Sequence, residues 1–452
     1  MTSDHSTPDW EQYANWDRHY VWHAFTQMRD YQPLIIESAD GCILKDIDGN
    51  ELIDGVSSVW CNVHGHRHPK INGAINNQLN KVAHVTSLGM SNPASIELAR
   101  RLAEITPDGL EHTFFSGDGA SSVEVGLKMA FQYWHQRDKP KPQKNTYIAL
   151  GSAYHGDTLG SVSVGGVARF HQMFEPLLFN VIRVENPNTY RFPAGVTPEN
   201  ATQYYLSQLE LTLAEHHEQV AAMILEPLVQ GAAGLVMQPS GYLRGVRDLT
   251  RKYDVLLIAD EVAVGFGRTG TMFACEHEAI SPDILCMGKG LTGGYLAMSA
   301  TTATTEIWNA FLGEGIKTFY HGHTYAGNPL AAAAALASLD VFHEENTLAN
   351  VAEQSQLLCD LLATRLAKHP LVGDIRQRGL IAAIELVADK ENKIPLDPAL
   401  GTGSNVCLAA REKGVWLRPL RDTLVIMPPL SVSSSQITQI VASLEYGLNQ
   451  LK

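Results

Sequence analysis

No Cys-x-x-Cys pair occurs in the chain, and its six cysteines (Cys42, Cys61, Cys275, Cys286, Cys359 and Cys407) are scattered. That spacing signals neither a zinc knuckle nor a disulfide framework, and it suits a reducing cytoplasm. Clusters of lysine and arginine are missing too. With a formal net charge of −14, a nucleic-acid backbone or an anionic membrane is not an expected partner. No apolar stretch approaches a membrane span: the longest, around residues 330–339, is alanine-rich and only half long enough. Residues 1–10 lack the apolar centre of a secretory signal, so no leader is expected there. Internal repeats, low-complexity tracts and coiled-coil heptads are likewise not seen.

What is present is an ordinary globular composition, 45% hydrophobic and 18% charged over 452 residues, long enough for two or three domains. Residues 1–75 read as an irregular N-terminal segment with small antiparallel strands, broken by a turn at Asp48-Gly49. From residue 76 to 344, helical patterns alternate with apolar runs at 113–115, 146–150, 181–184, 222–225, 255–258 and 284–286. Strands alternating with helices predict an α/β domain around a mostly parallel sheet. Residues 345–452 read as a second, smaller α/β unit, with strands near 381–386 and 424–427. A helix over 329–343 leads out of the large domain.

The chain is organised around Leu256-Leu257-Ile258-Ala259-Asp260-Glu261-Val262 and Met287-Gly288-Lys289-Gly290. The first is an apolar run ending in two carboxylates, the pattern of a buried parallel strand. Open α/β sheets place their chemistry at the C-terminal ends of such strands. A buried lysine loses its proton easily and becomes a nucleophile towards aldehydes. An aspartate facing a pyridine nitrogen and a lysine joined to the cofactor are the two protein groups that pyridoxal phosphate (PLP) requires. On this pair alone, a helix cap at Asp260 and a surface lysine at 289 explain the pattern equally well.

Ser116-Gly117-Asp118-Gly119-Ala120-Ser121-Ser122 joins a strand to a helical run. Small residues there expose backbone N–H groups and the positive end of the helix dipole, which together hold phosphate; a plain N-cap is the structural alternative. The segment is not a Walker loop, since Gly-Lys-Ser/Thr is missing. Gly265-Phe266-Gly267-Arg268-Thr269-Gly270 matches GxGxxG, but the residues after it are a poor helix, so a Rossmann site is rejected in favour of a turn shaping a pocket. Tyr154 follows a strand and could stack on a flat cofactor, or simply be a core tyrosine. His64, His66 and His68, and His321 and His323, invite a metal, but no HExxH spacing and no sequence-adjacent carboxylate accompany them. They read better as loop histidines near a phosphate or substrate. Arg418, among apolar residues, suits either a substrate carboxylate or a salt bridge.

Taken together, Ala259-Asp260-Glu261-Val262, Gly265 to Gly270, Pro282-Asp283-Ile284 and Gly288-Lys289-Gly290-Leu291 resemble the class III PLP-dependent aminotransferases. Further matches run from about residue 18 to 430, among them 22–28, 54–60, 153–158, 226–231, 321–325 and 416–419. Within the family they are most similar to the branch that aminates 8-amino-7-oxononanoate to 7,8-diaminononanoate in biotin biosynthesis. The resemblance implies a homodimer of PLP-dependent fold type I with its active site at the subunit interface. It implies that Lys289 carries PLP, that Asp260 keeps the pyridine nitrogen protonated, and that Tyr154 and Val262 cover the two ring faces. Gly119 and Ala120 would bind the phosphate, completed by His323 and Thr324 of the 321–325 segment, with Thr324 coming from the partner subunit. Phe25, Trp60, Gly322 and Arg418 would meet substrate, with Arg418 on its carboxylate. Phe25, Val59 and His323 depart from the pattern that uses S-adenosylmethionine and are similar to members that take lysine, so the amino donor is S-adenosylmethionine or lysine, with the resemblance leaning to lysine. The rivals are another class III ω-amino acid or ornithine-type transaminase, a PLP-binding transcription regulator and a metal-dependent hydrolase. The regulator would need an N-terminal DNA-binding domain and a basic patch, and residues 1–30 offer neither.

Overall fold

The computed structural model describes residues 9–451, so most of the 1–10 segment, with its expected lack of a leader, lies outside the described residues. Three short strands, β1 (Ile36–Asp40), β2 (Ile43–Asp46) and β3 (Glu51–Asp54), form an antiparallel ladder near the N-terminus. Gly49, at φ +84, makes the expected turn between the last two.

The centre of the molecule is a seven-stranded sheet. Its strands are β4 (Leu110–Ser116), β5 (Thr146–Leu150), β6 (Ile182–Val184), β7 (Val220–Leu225), β10 (Leu256–Asp260), β11 (Ile284–Met287) and β12 (Ser299–Thr304), in the order β4-β12-β11-β10-β7-β5-β6. A small hairpin, β8 (Val229–Gln230) and β9 (Val236–Met237), lies between β7 and β10 in the chain. Every residue of β7, β10 and β11 is buried. Continuous apolar runs suit strands covered on both faces, and the pairings β7–β10 and β10–β11 are parallel.

β12 was not expected. Its sequence, Ser-Ala-Thr-Thr-Ala-Thr, has no apolar run, yet five of its six residues are buried. It is antiparallel to both β11 and β4. Its hydroxyls are satisfied internally: Ser299 Oγ pairs with Ser116 Oγ at 2.7 Å, Thr301 donates to the Ser122 carbonyl at 2.8 Å, and Thr302 pairs with Thr113 at 3.1 Å. Hydrogen bonding, rather than apolarity, makes this burial tolerable.

In the C-terminal part, β13 (Val372–Arg378), β14 (Ile381–Asp389) and β17 (Thr423–Ile426) form an antiparallel sheet, with a short β15 (Ile394–Pro395) on β14. β16 (Val415–Trp416) instead joins β3 in parallel, so the N-terminal ladder and the C-terminal part share a sheet.

The parallel topology decides where chemistry can occur. Asp260, last in β10, pairs with Cys286 of β11, so the C-terminal ends of β10 and β11 lie side by side. β4, β5 and β7 run the same way. The segments after them, beginning at Gly117, Gly151 and Glu226, therefore converge on the same edge as Asp260 and Lys289.

Candidate active site

Asp260 is 4% exposed at the end of its strand. One carboxylate oxygen accepts the Val262 N–H at 3.0 Å; the other lies 2.7 Å from Nδ1 of the fully enclosed His155 ring. The other ring nitrogen of His155, Nε2, is buried without a partner among the described residues. The two bonds fix the carboxylate's direction, so it is held for use outside the pair.

Lys289 starts a tight turn after β11 and adopts φ +34, a conformation that favours glycine. Its Nζ sits 5.6 Å from the centre of the Trp60 ring. Burial pulls its pKa below the ordinary lysine value, while Asp260 and Glu226 act in the opposite direction. A neutral amine is the form that adds to a carbonyl.

The 116–122 loop opens the helix Gly119–Gln136. Asp118 caps it, accepting the Ser121 N–H at 2.9 Å and the Ser121 hydroxyl at 3.0 Å. That leaves the N–H groups of Gly119 and Ala120 at the positive end of a helix of 18 residues. A Cβ on Gly119 would stand 2.5 Å from Val262 Cγ1, so only glycine lets this turn approach the strand end. Gly156, at φ +122, packs on Ala120 in the same way. His323 reaches the loop: its Cε1 would lie 3.5 Å from a Cβ on Gly117. We expect Gly119→Ala to raise the dissociation constant for PLP about tenfold or more, since overpacking of this size costs about 1–3 kcal/mol. Titrating the apoprotein with PLP checks this; unchanged affinity would remove Gly119 from the cradle.

The walls come from four segments. Tyr154 donates its hydroxyl to Asp157 at 2.6 Å, and burial and that carboxylate raise its pKa well above the usual tyrosine value. Phe170 and His171 lie behind it, the His171 ring nearly parallel at 6.4 Å between centres. Phe25 packs edge-on against Phe170 at 5.2 Å. Trp60 is carried by a strained loop in which Ser57, Ser58 and Trp60 all have positive φ, between +52 and +64. The buried Asp54 holds that loop, its Oδ2 accepting the Ser58 N–H at 2.8 Å. Glu226 is 4% exposed and pushed up to about 7 by burial, with Asp260 adding to the rise and His155 opposing it.

Lys289, Asp260, Tyr154, Gly119, Ala120, Val262, Trp60 and His323 thus gather at one sheet edge. Phe25 joins them through Phe170. Arg418, just past β16, is exposed and makes no ion pair among the described residues, so the salt-bridge alternative does not apply. Gly322 and Thr324 lie on an exposed strap, where the Thr324 carbonyl faces His84 Nε2 at 2.7 Å.

The remaining histidines disperse. His64 faces Ser338 at 3.1 Å, His66 faces Asp54 at 3.4 Å and His68 faces Glu345 at 2.9 Å. They sit in a loop, not on one strand face, and the carboxylates absent from their sequence neighbourhood arrive from elsewhere in the fold. No group of three potential metal ligands occurs among the described residues. The GxGxxG segment is a turn followed by only a five-residue 3-10 helix, as a pocket-shaping loop should be.

Two residues at the edge were not singled out from the sequence for a role. His155 and Glu226 stand within the segments that carried the family resemblance, but their partners are 105 and 72 residues away. No short-range pattern reports such a contact.

The pocket fits PLP on its own terms: a fixed carboxylate for a ring nitrogen, a lysine of lowered pKa, and two free amides at a helix N-terminus for a phosphate. The family model for class-III aminotransferases matches residues 25–448. An adenosylmethionine-8-amino-7-oxononanoate aminotransferase of Nitratidesulfovibrio vulgaris is 51% identical, over 94% of this chain and 79% of that protein. One from Geobacter sulfurreducens is 47% identical over 98% of each. The crystal structure of the Methanocaldococcus jannaschii protein of that name superposes with a TM-score of 0.92 at 42% identity, covering 98% of this chain and 99% of that one. A PLP-bound amine transaminase from an uncultivated Pseudomonas species gives 0.91 at 34% identity, covering 96% and 99%. The chain belongs to the class-III aminotransferases. Its cofactor is pyridoxal phosphate and its fold is that of the fold type I transaminases.

Proposed function

We propose that this enzyme aminates 8-amino-7-oxononanoate to 7,8-diaminononanoate in biotin biosynthesis, in the cytoplasm, with lysine or S-adenosylmethionine giving the amino group. The observation carrying this reading is the side-by-side placement of Asp260 and Lys289 at the ends of β10 and β11, in a chain whose near full-length relatives bear that enzyme's name.

Bound PLP supplies an electron sink that stabilises negative charge on the carbon next to the substrate nitrogen. The protein does the rest. Lys289 Nζ would hold the cofactor at its aldehyde carbon. When not holding the cofactor, the same Nζ would take up and return the proton at the substrate carbon next to the reacting nitrogen. Asp260 holds a proton on the pyridine nitrogen, and His155 fixes the orientation of Asp260. Tyr154 and Val262 confine the ring, while the Gly119 and Ala120 amides hold the phosphate. Trp60 and Phe25 exclude water from the channel.

Arg418 suits the terminal carboxylate of the keto acid because it is an exposed guanidinium with no internal partner among the described residues, on a backbone fixed by β16. Arg418→Ala is expected to raise KM for the keto acid about tenfold to a hundredfold and leave the donor KM unchanged, the loss of about one charge-assisted pair. Equal effects on both substrates would take Arg418 out of this role.

A homodimer with Thr324 completing the partner's phosphate site accords with the exposed strap and with the exposed aromatics Trp22, Tyr320 and Tyr325. A substrate panel tests the reaction: mixed with the PLP form, lysine or S-adenosylmethionine should bleach the visible band, and 8-amino-7-oxononanoate should restore it. A preference for ω-amino acids with pyruvate would replace this reading with that of another class III transaminase.

A further inference from the structure

Glu226 directs its two carboxylate oxygens to two different walls of the pocket. Oε2 accepts the backbone N–H of Tyr154 at 3.1 Å, and Oε1 accepts that of Gly231 at 2.8 Å. The first amide belongs to the residue whose ring faces the cofactor. The second belongs to the floor on which Trp60 rests: a Cβ on Gly231 would stand 3.0 Å from Trp60 Cζ3 and 3.5 Å from Glu226 Oε1. The carboxylate is itself a fixed post. It follows the last residue of β7, and its own carbonyl accepts Gln238 Nε2 at 2.8 Å. Charged acceptors make the strongest hydrogen bonds to amides, and a buried carboxylate this close to Asp260 is costly unless its bonds compensate. An aliphatic side chain would fill the same space without that cost.

We infer that Glu226 is a positioning residue that sets the separation between the Tyr154 wall and the Trp60 wall, by holding both backbones on one carboxylate. The inference rests on the transaminase reading for what the two walls do, and on geometry alone for how they are held. It concerns neither the identity of the keto acid nor that of the donor.

Hydrogen exchange on the holoenzyme tests it without reference to turnover. In Glu226→Leu both acceptors are lost at similar side-chain volume, so both N–H groups lose their partner and the shared post is removed. Exchange in peptides covering Tyr154 and Gly231 should rise together, at least about tenfold, with exchange in β10 and β11 unchanged. Gly231→Ala provides a second approach that keeps the carboxylate. Its added methyl presses on Trp60 and Oε1, and the effect should reach the Tyr154 peptide and raise the KM of the long keto substrate more than it lowers kcat. Exchange rising in one wall alone, or in neither, in these folded variants would overturn the inference. So would a Gly231→Ala effect that never reaches Tyr154. Failure of the substrate panel, with the exchange result intact, would instead count against the proposed reaction only.

Discussion

Lys289→Ala is expected to lose essentially all turnover, by more than about 10⁴-fold, because in the proposed reading one change removes both the covalent anchor and the proton carrier, and a general base alone accounts for up to about that factor. The structure makes the loss specific to this lysine. Its Nζ lies under Trp60 at the ends of β10 and β11, where burial favours the free amine. Lys144 is the instructive contrast. It is 2% exposed, and burial brings it down to about 8, yet its Nζ donates to the carbonyls of His217, Val220 and Asp254 at 2.7–3.0 Å. Those carbonyls lie at the opposite edge of the sheet, just before or at the start of β7 and β10. Lys144→Met should therefore lower the melting temperature and spare the chemistry. Single-turnover kinetics on both variants separate the two; residual transamination by Lys289→Ala above about 10⁻⁴ of wild type would contradict the assignment.

Asp260→Asn is expected to slow both half-reactions on the order of 10³-fold or more, the size seen when a preorganised electrostatic group is lost from a buried site. The amide has nearly the same shape, so the fold is preserved. It cannot hold the ring nitrogen in its protonated form, and the electron sink weakens accordingly. The His155 contact sharpens the expectation. With an acid 2.7 Å away, Nδ1 is best used as a donor; an amide presenting its NH2 there would turn that bond into a repulsion. His155→Phe should therefore act in the same direction with a smaller effect. Rapid-scan absorbance of each half-reaction measures both, and an Asp260→Asn variant that slows only the donor half would argue for a role in donor binding.

How much of this was legible in the sequence depends on the range over which each signal acts. β10 announced itself because four apolar or small residues followed by a carboxylate are a local pattern, and the Gly119 turn because a cap and small residues precede a helical run. The GxGxxG match was correctly refused on the same kind of evidence, the poor helix after it. β12 stayed hidden because its burial rests on cross-strand hydroxyl pairs with Ser116 and Thr113, which no apolar periodicity reports. β13, with Asp374, Arg376 and Arg378 among its residues, was hidden for a related reason: Arg376 is neutralised by Asp374 and by Glu385 across the ladder. The histidines were harder still. Three of them at alternate positions suggest a common face, and only the folded chain shows that Ser338, Asp54 and Glu345 draw them apart. Glu226 and His155 belong to the same class, since their meaning lies in contacts spanning 72 and 105 residues.

Every role proposed for the site depends on the bond between one amine and the cofactor. Borohydride reduction of the PLP-loaded protein, followed by digestion and mass spectrometry, locates that bond. A phosphopyridoxyl group on the peptide containing Lys289, one per chain, is the predicted result. The group on a different lysine, or on none in cofactor-saturated protein, would contradict it.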